Sequence, residues 1–489
     1  MRIESIRLKH TLHFSDLLAE FKYHDQPVTL ILGDQGSGKT GILRFSYQAL
    51  TWFAARCKDL RAAGLVMLDQ DIMQARLQSK IDIRVSFSEE AGALLPGAER
   101  PEEGAGSCGW QLYKTLNSQG IGISKAETRQ LELLAARYQQ AQRDDPLLGL
   151  PLIAYYPAER FVNEVNILNK NNPAIFQPAH AYEISAIPFT TFARFFEWFR
   201  EVCDIENAQS AQMVQDILNR HQLQGPSAPQ PADYLAGRIA QAHAEIRAPA
   251  LRSLRRALAI VLPEISGLFL LYQPKLQLMV TFQGKAMQFQ QLSNSLRNLT
   301  ALIGDIVRRL CLLNPASLYP CEEGEGILLI DAVDHQLDQN MAQVILPRLH
   351  QAFPRLQIIA SGNRPELLEQ AGGFQCLKLE NRQLLPLQAG QLQQQFDEIY
   401  AQLHLEEAGP PAGAEAEAPA LQEPALDEDA AESMLLQIQQ QLNGEQQRQL
   451  IRLLNGSDGG VRRLLQLQTV NRMLEALTVF RAVDSVRAG

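Results

Sequence analysis

One octapeptide constrains this chain more than any other feature: Gly33-Asp34-Gln35-Gly36-Ser37-Gly38-Lys39-Thr40 fits the spacing G-x-x-x-x-G-K-[ST]. Glycine tolerates the backbone angles that let successive N–H groups turn inward around an anion. In such a loop the lysine reaches the terminal phosphates of a nucleotide and the threonine hydroxyl ligates magnesium. The flanks agree. Val28–Leu32 is an apolar run that reads as a buried strand, and from about Gly41 the residues Ile42, Leu43, Tyr47, Leu50 and Phe53 recur at roughly helical spacing. An ordinary glycine-rich turn would need neither flank. The expected fold is α/β, with a strand feeding the loop and the loop feeding a helix.

A phosphate site of this kind also needs a carboxylate to position magnesium. Ile327-Leu-Leu-Ile-Asp331 supplies four apolar strand residues ending in one. Taken alone, an aspartate at a strand end is also a common turn former; beside the loop, Asp331 becomes the metal-side acid. The long separation of Lys39 and Asp331 points to an ATPase head with a large insertion, not to a small kinase. ATP and Mg2+ are the expected cofactors.

At 489 residues and 46% hydrophobic content the chain can bury a large core and carry attached modules. The longest apolar stretches, such as residues 268–272 and 326–330, fall far below the roughly 18 residues that a membrane helix needs. Residues 1–9 mix charge with apolar side chains and do not form a secretory signal. A cytoplasmic protein with no membrane partner is expected. The six cysteines contain no Cys-x-x-Cys pair and suit reduced thiols. The net charge of -9 is unevenly placed: residues 405–432 hold nine acids and no Lys or Arg, so the acids elsewhere equal the 45 Lys and Arg. Overall acidity is therefore no argument against a DNA partner.

Residues 79–88 alternate Ile81, Ile83, Val85 and Phe87 with polar neighbours, as a half-exposed strand does. Residues 96–109 read as loop, 124–145 as helix, Leu152–Tyr156 as a core strand, and 188–261 as largely helical with a break around 225–231. Sheet returns with Leu276, Leu278 and Val280, then a helix bearing Leu299, Leu302, Ile303, Ile306 and Leu310, then strands at 327–330 and 357–360. The domain reading is an ATPase head in two parts, 1–187 and 262–400, around an inserted helical domain, 188–261. An acidic linker, 405–432, leads to a small helical module, 433–489.

The loop, together with Leu292-Ser-Asn-Ser-Leu-Arg297, residues 327–334 and Ile358-Ile-Ala-Ser-Gly-Asn363, resembles the ABC-type ATPase heads of the SMC, RecF and OLD-like group. Ile153-Ala-Tyr-Tyr-Pro-Ala-Glu-Arg160, Phe195-Phe-Glu-Trp-Phe-Arg200 and Asp204-Ile-Glu-Asn207 resemble, more narrowly, the bacterial AAA-type proteins described as predicted ATP-binding proteins involved in virulence. Relatives of those include Septu-type and retron-associated defence ATPases. The resemblance covers residues 1–400 and implies a P-loop NTPase fold of ABC type. It also implies a homodimer, or a heterodimer with a related ATPase, in which each nucleotide lies between the loop of one chain and a signature helix of the other. Ser293 would then point the N-terminus of that helix at the partner's γ-phosphate, and Asn363 stands where a histidine senses that phosphate. The implied nucleotide-binding set is Gly33, Asp34, Gln35, Gly36, Ser37, Gly38, Lys39, Thr40, Ser293 and Asn363. The metal set is Thr40 and Asp331. A nuclease acting in phage defence or DNA repair is the implied partner, with DNA as a further candidate.

Three positions depart from that group. The signature glycine is Ser295, followed by Leu296; the carboxylate that orients the attacking water is replaced by Ala332; and the sensing histidine is Asn363. Losing a general base costs about 10²–10⁴-fold in rate, and an amide cannot carry a histidine's charge. Asp334 matches a different position of the motif, while Glu322, Glu323 and Glu325 precede the strand, so no residue is assigned as catalytic. A nucleotide-gated dimerising switch with weak or absent hydrolysis is expected; the alternative is a scaffold that holds ATP structurally and recruits an effector. An active phosphotransferase or GTPase fits worst, because Asn169-Lys-Asn-Asn172 lacks the aspartate that reads guanine. His10 and His13 lack the further ligands of a metal site. The aromatic run from Phe189 to Phe199 reads as helix core, Arg252, Arg255 and Arg256 as an exposed basic face, and Glu159 with Arg160 as either an ion pair or a ligand contact.

Overall fold

The computed structural model describes residues 1–23, 25–87, 106–145, 148–160, 162, 176–182, 192–223 and 249–387. All of them fall within one unit, Met1–Glu407. The acidic linker, the C-terminal helical module and the Asn169–Asn172 motif lie outside the described residues.

The chain opens with a hairpin, β1 (Arg2–Thr11) and β2 (Phe14–Glu20), and passes through β3 (Val28–Leu32) into helix α1 (Lys39–Lys58). Strands β4 (Gln78–Phe87), β5 (Gly106–Leu116) and β6 (Gly122–Glu127) precede α2 (Arg129–Asp144) and β7 (Leu152–Tyr156). Next come α3 (Ala193–Leu223), α4 (Pro249–Val261) and the strands β8 (Ile265–Leu271), β9 (Gln277–Phe282) and β10 (Lys285–Gln288). Helix α5 (Asn294–Leu313), β11 (Gly326–Ile330), α6 (Gln339–Ala352), β12 (Leu356–Gly362), β13 (Gln375–Glu380) and β14 (Gln383–Pro386) complete the described order.

The six-stranded central sheet runs β14-β13-β3-β12-β11-β7. Every neighbouring pair from β13 to β7 is parallel, and only β14 runs against its neighbour. All residues of β3, β7, β11 and β12 are buried. That explains their near-continuous apolar sequences, since a parallel sheet is covered on both faces. The register pairs Leu32 with Gly362, and Ile330 with both Ala360 and Tyr156. The carboxyl ends of these strands therefore meet along one edge of the sheet, the usual place for a ligand in an open α/β fold.

A second, antiparallel sheet runs β2-β1-β4-β5-β6. Along β4 burial alternates, with Ile81, Ile83, Val85 and Phe87 inward, as their spacing predicts. The contacts that tie this sheet to the rest include two made by buried side chains. Trp110 of β5 donates its indole N–H to the carbonyl of Ala49 on α1 at 3.0 Å. The Gln357 amide of β12 accepts from the N–H of Ile3 at 2.6 Å and donates to its carbonyl at 2.9 Å. A buried amide here takes up the Ile3 backbone groups on the side where the pairing of β1 with β2 ends at Ser5 and Glu20.

Sequence and structure part in two stretches. The helix expected from residue 124 begins at Arg129, because 122–127 forms the edge strand β6, and the loop expected through 109 ends where β5 starts at Gly106. Both strands exist through pairing with chain far away in sequence, which local composition does not encode. The helical run resolves into α3 and α4, which pack on α5. Phe195, Phe196, Trp198 and Phe199 are buried, with Phe195 lying so close to Gly304 of α5 that a Cβ there would sit 2.3 Å from its ring. Arg255 and Arg256 pair with Glu206 at 3.9 Å and Glu322 at 2.5 Å, so the basic face of α4 is largely neutralised locally.

Candidate functional site

The glycine-rich loop leaves β3 at the gathered strand ends and turns into α1 at Lys39. Gly36 and Gly38 have φ of 76° and 109°, values that side-chain-bearing residues rarely adopt. Gly38 faces a second restriction, because a Cβ would lie 2.3 Å from the His13 ring. His13 itself donates from Nε2 to the Ser37 carbonyl at 2.9 Å and packs on Phe14 with ring centroids 4.1 Å apart. The β1–β2 hairpin thus buttresses the loop from behind. Asp34, Gln35, Gly36 and Thr40 are exposed, with Gly33, Ser37 and Gly38 half-buried.

Lys39 is buried and folds over the loop, donating to the carbonyls of Gly33 at 2.5 Å and Asp34 at 2.8 Å and to Ser37 Oγ at 3.4 Å. Burial lowers its pKa, against the opposing pull of Asp331, Asp334 and Asp34. Those two distant aspartates share the electrostatic field of Lys39 because β3 and β11 are separated by β12 alone.

Asp331 follows β11 and is buried. Its Oδ1 accepts from Ser361 Oγ at 2.5 Å, whereas Oδ2 is buried without a hydrogen-bond partner. An orphaned carboxylate oxygen is costly unless something binds it. A hard divalent cation that takes oxygen ligands fits that atom, so the residues present suit the magnesium implied by the loop. Ser361 also accepts from the N–H of Ala332 at 2.8 Å, and Ala332 holds a left-handed φ of 43°.

Among the described residues Arg160 makes no ion pair with Glu159. Its guanidinium is buried and donates to backbone carbonyls: Pro157 at 3.0 Å, Ala332 at 2.7 Å, and Asp331. Burial pushes its pKa down to about 10, with Asp331, Asp334 and Tyr155 opposing the fall, so it stays charged near neutrality. Arg160 therefore pins the backbone on both sides of the Asp331–Ala332 peptide, while Glu159 is exposed. Asp334 Oδ2 accepts from the N–H groups of Asn363 and Arg364, each at 2.8 Å, which ties it to the exit of β12. The Asn363 residue itself is exposed.

Ser293 caps α5, accepting from the Leu296 N–H at 3.3 Å, and is exposed. Among the described residues no hydrogen bond joins it to the phosphate loop. Asn298, one turn further, accepts from the N–H of Val162 at 2.8 Å and donates to Gln336 at 3.0 Å, linking α5 to the segments after β7 and β11. Deeper along α5, Asp305 accepts from Arg308 at 2.9 Å, Arg309 at 2.7 Å and the Tyr156 hydroxyl at 2.8 Å, all fully buried. Sequence reading missed His13, Ser361, Asn298 and this cluster; each works through a partner brought close only by folding.

A phosphate loop, its lysine and a strand-end acid leave strands one apart in a single parallel sheet. The fold is that of a P-loop nucleotide-binding α/β domain. The chain is similar to the Retron Ec83 probable ATPase of Escherichia coli, 25% identical over 412 residues that cover 78% of this chain and 72% of that protein. It is also similar to the Retron Vc95 probable ATPase of Vibrio cholerae serotype O1 biovar El Tor, 24% identical over 383 residues, covering 75% and 71%. Among solved structures, an Smc head bound to the C-terminal winged-helix domain of ScpA aligns over 81% of this chain and 100% of its own, at 14% identity and a TM-score of 0.41. No protein-family model matches. Among its described residues, the head contains no helix long and apolar enough to cross a membrane.

Proposed function

We propose that this head binds ATP with magnesium at residues 33–40 and Asp331 and acts as a nucleotide-gated dimerising switch that turns ATP over slowly or not at all. The observation that carries the reading is the contrast across one peptide: Asp331 presents a buried, unpartnered oxygen suited to a metal, and the next residue, Ala332, has no carboxylate. Inward-turned loop amides and Lys39 hold the phosphates, with the lysine exchanging loop carbonyls for phosphate oxygens. Magnesium, held by Thr40 and Asp331, would neutralise phosphate charge. Ser361 orients Asp331, and Arg160 holds the Asp331–Ala332 backbone in place. Asp334 is engaged by two N–H groups and is poorly free to serve as a base.

Ser293 and the exposed start of α5 are the surface offered to a second head, of the same chain or of a related ATPase. In this reading Asn363 contacts the γ-phosphate as a neutral hydrogen-bonding group. Residues 188–261 form an insertion on the head, and the helical module after the acidic linker recruits the effector. The names of the relatives place such proteins with retrons, which favours a defence role and a nuclease or DNA-processing partner in the cytoplasm. A pure scaffold is the second reading, favoured by the same Ala332.

Equilibrium binding of ATP and release of phosphate, measured side by side, test the reading. The native chain is expected to bind ATP in the presence of magnesium and to release phosphate at least about 10²-fold more slowly than a head with an intact general base, while Lys39→Ala binds poorly. Robust turnover would defeat both switch and scaffold. Failure of the native chain to bind ATP at millimolar concentration would remove the nucleotide site.

A further inference from the structure

Helix α1 carries the phosphate loop at one end and lines a separate cavity near the other. Lys39 and Lys58 are the first and last residues of α1, which at 1.5 Å per residue places them roughly 28 Å apart. Beside the C-terminal half of the helix lies a cavity of about 530 Å³, walled by Tyr47, Ala54, Ala55, Leu65, Ile153 and Tyr182 among others. It is open to solvent along part of its boundary, and its volume falls in the range of small-molecule sites. Its walls are mostly apolar, carry two tyrosines, and include Thr51, Lys58 and Gln142. The small side chains of Ala54 and Ala55 leave the room. Gly64 closes one side by approaching Trp52 so closely that a Cβ would lie 2.5 Å from its backbone nitrogen.

The opening has a different character. An adjoining cleft of about 600 Å³ shares Cys57, Lys58 and Gln142 with the cavity and adds Arg61 and Arg143. Lys58, Arg61 and Arg143 are exposed, and among the described residues none of them has an ion-pair partner. Asp59 is the one acid lining that cleft, and it accepts from the Arg61 N–H at 2.9 Å. A largely apolar chamber bordered by Lys58, with Arg61 and Arg143 in the adjoining cleft, suits an amphipathic ligand with its charge at one end.

We infer that the chamber behind α1 is a binding site for a small aromatic anion, its ring system against the apolar wall that includes Tyr182 and its acidic group at Lys58, with Arg61 and Arg143 in support. The site is distinct from the nucleotide site, and its occupancy does not depend on the phosphate loop.

The probe is 1-anilinonaphthalene-8-sulfonate, whose fluorescence rises on leaving water, titrated onto the full chain. One saturable site is expected. Ala54→Trp, which fills the chamber, weakens it by roughly tenfold or more, and Lys58→Glu by roughly fivefold. The uncharged analogue N-phenyl-1-naphthylamine should be indifferent to Lys58→Glu. Because Lys58 is exposed, that variant reports even where Ala54→Trp fails to fold, which thermal melting would reveal. Lys39→Ala and saturating ATP should leave probe binding unchanged, so loss of the nucleotide reading leaves this one standing. Displacement of the probe by ATP, non-saturable binding, or native affinity in Lys58→Glu would overturn the assignment.

Discussion

At the scale of single residues, the phosphate loop depends on glycine for two different reasons. Gly36 needs only its left-handed φ, since a Cβ there would meet nothing within 4 Å. Gly38 has a φ of 109° and also lies against His13. Gly36→Ala should therefore cost about 1 kcal/mol of backbone strain and roughly fivefold in ATP affinity. Gly38→Ala should cost well over about tenfold, and adding His13→Ala should recover part of that loss by removing the clash. Calorimetric titration with ATP checks all three variants, and native affinity in Gly38→Ala would show that the hairpin does not support the loop. The glycines, Lys39 and Asp331 could be read from spacing alone because the motif is contiguous. His13 could not, since nothing in its local sequence says that it reaches Ser37 across the hairpin.

Among elements, the connection with most at stake joins α5 to the end of β7 through Asp305, Arg308, Arg309 and Tyr156. Burial pushes the Asp305 carboxyl up, but the charges of Arg309 and Arg308 and the hydrogen bonds from Arg309 and Tyr156 outweigh it and hold it below the usual carboxylate range. A carboxylate depressed in the folded state contributes stability that is fully present above its unfolded value, about pH 4, and is lost as pH falls through the folded value. Asp305→Asn should lower stability at neutral pH by about 3 kcal/mol, because it leaves two buried guanidiniums uncompensated. It should also flatten the decline of stability below about pH 4. Urea unfolding at a series of pH values measures both effects; an unchanged acid profile would mean that other carboxylates carry it. Since Ser293 starts α5 and Arg160 follows β7, this cluster fixes the candidate partner-facing surface relative to the backbone around Asp331.

For the whole molecule, the proposed switch requires that one head meet another. Ser293 and the start of α5 are exposed, and no hydrogen bond joins Ser293 to the loop of its own chain among the described residues. With a non-hydrolysable ATP analogue and magnesium, sedimentation velocity should show the native chain shifting to a dimer. Ser293→Arg should remain monomeric while binding the analogue with native affinity. A native chain that stays monomeric at saturating nucleotide would remove the homodimeric switch and leave pairing with a related ATPase to be tested by co-expression.

The linear sequence by itself determined the parts whose physics is local: the strand–loop–helix around Lys39, the apolar strand ending at Asp331, the alternation of β4 and the aromatic core of α3. Each depends on neighbours within a few residues, so periodicity and motif spacing suffice to find it. Only the tertiary structure decided that β12 lies between β3 and β11 and so gathers Lys39, Asp331 and Ser361. It also turned Arg160 onto backbone carbonyls, formed the edge strand β6, and opened the chamber behind α1. Those outcomes follow from pairing and burial between segments far apart in the chain, where the free energy of a contact depends on what folding brings opposite it.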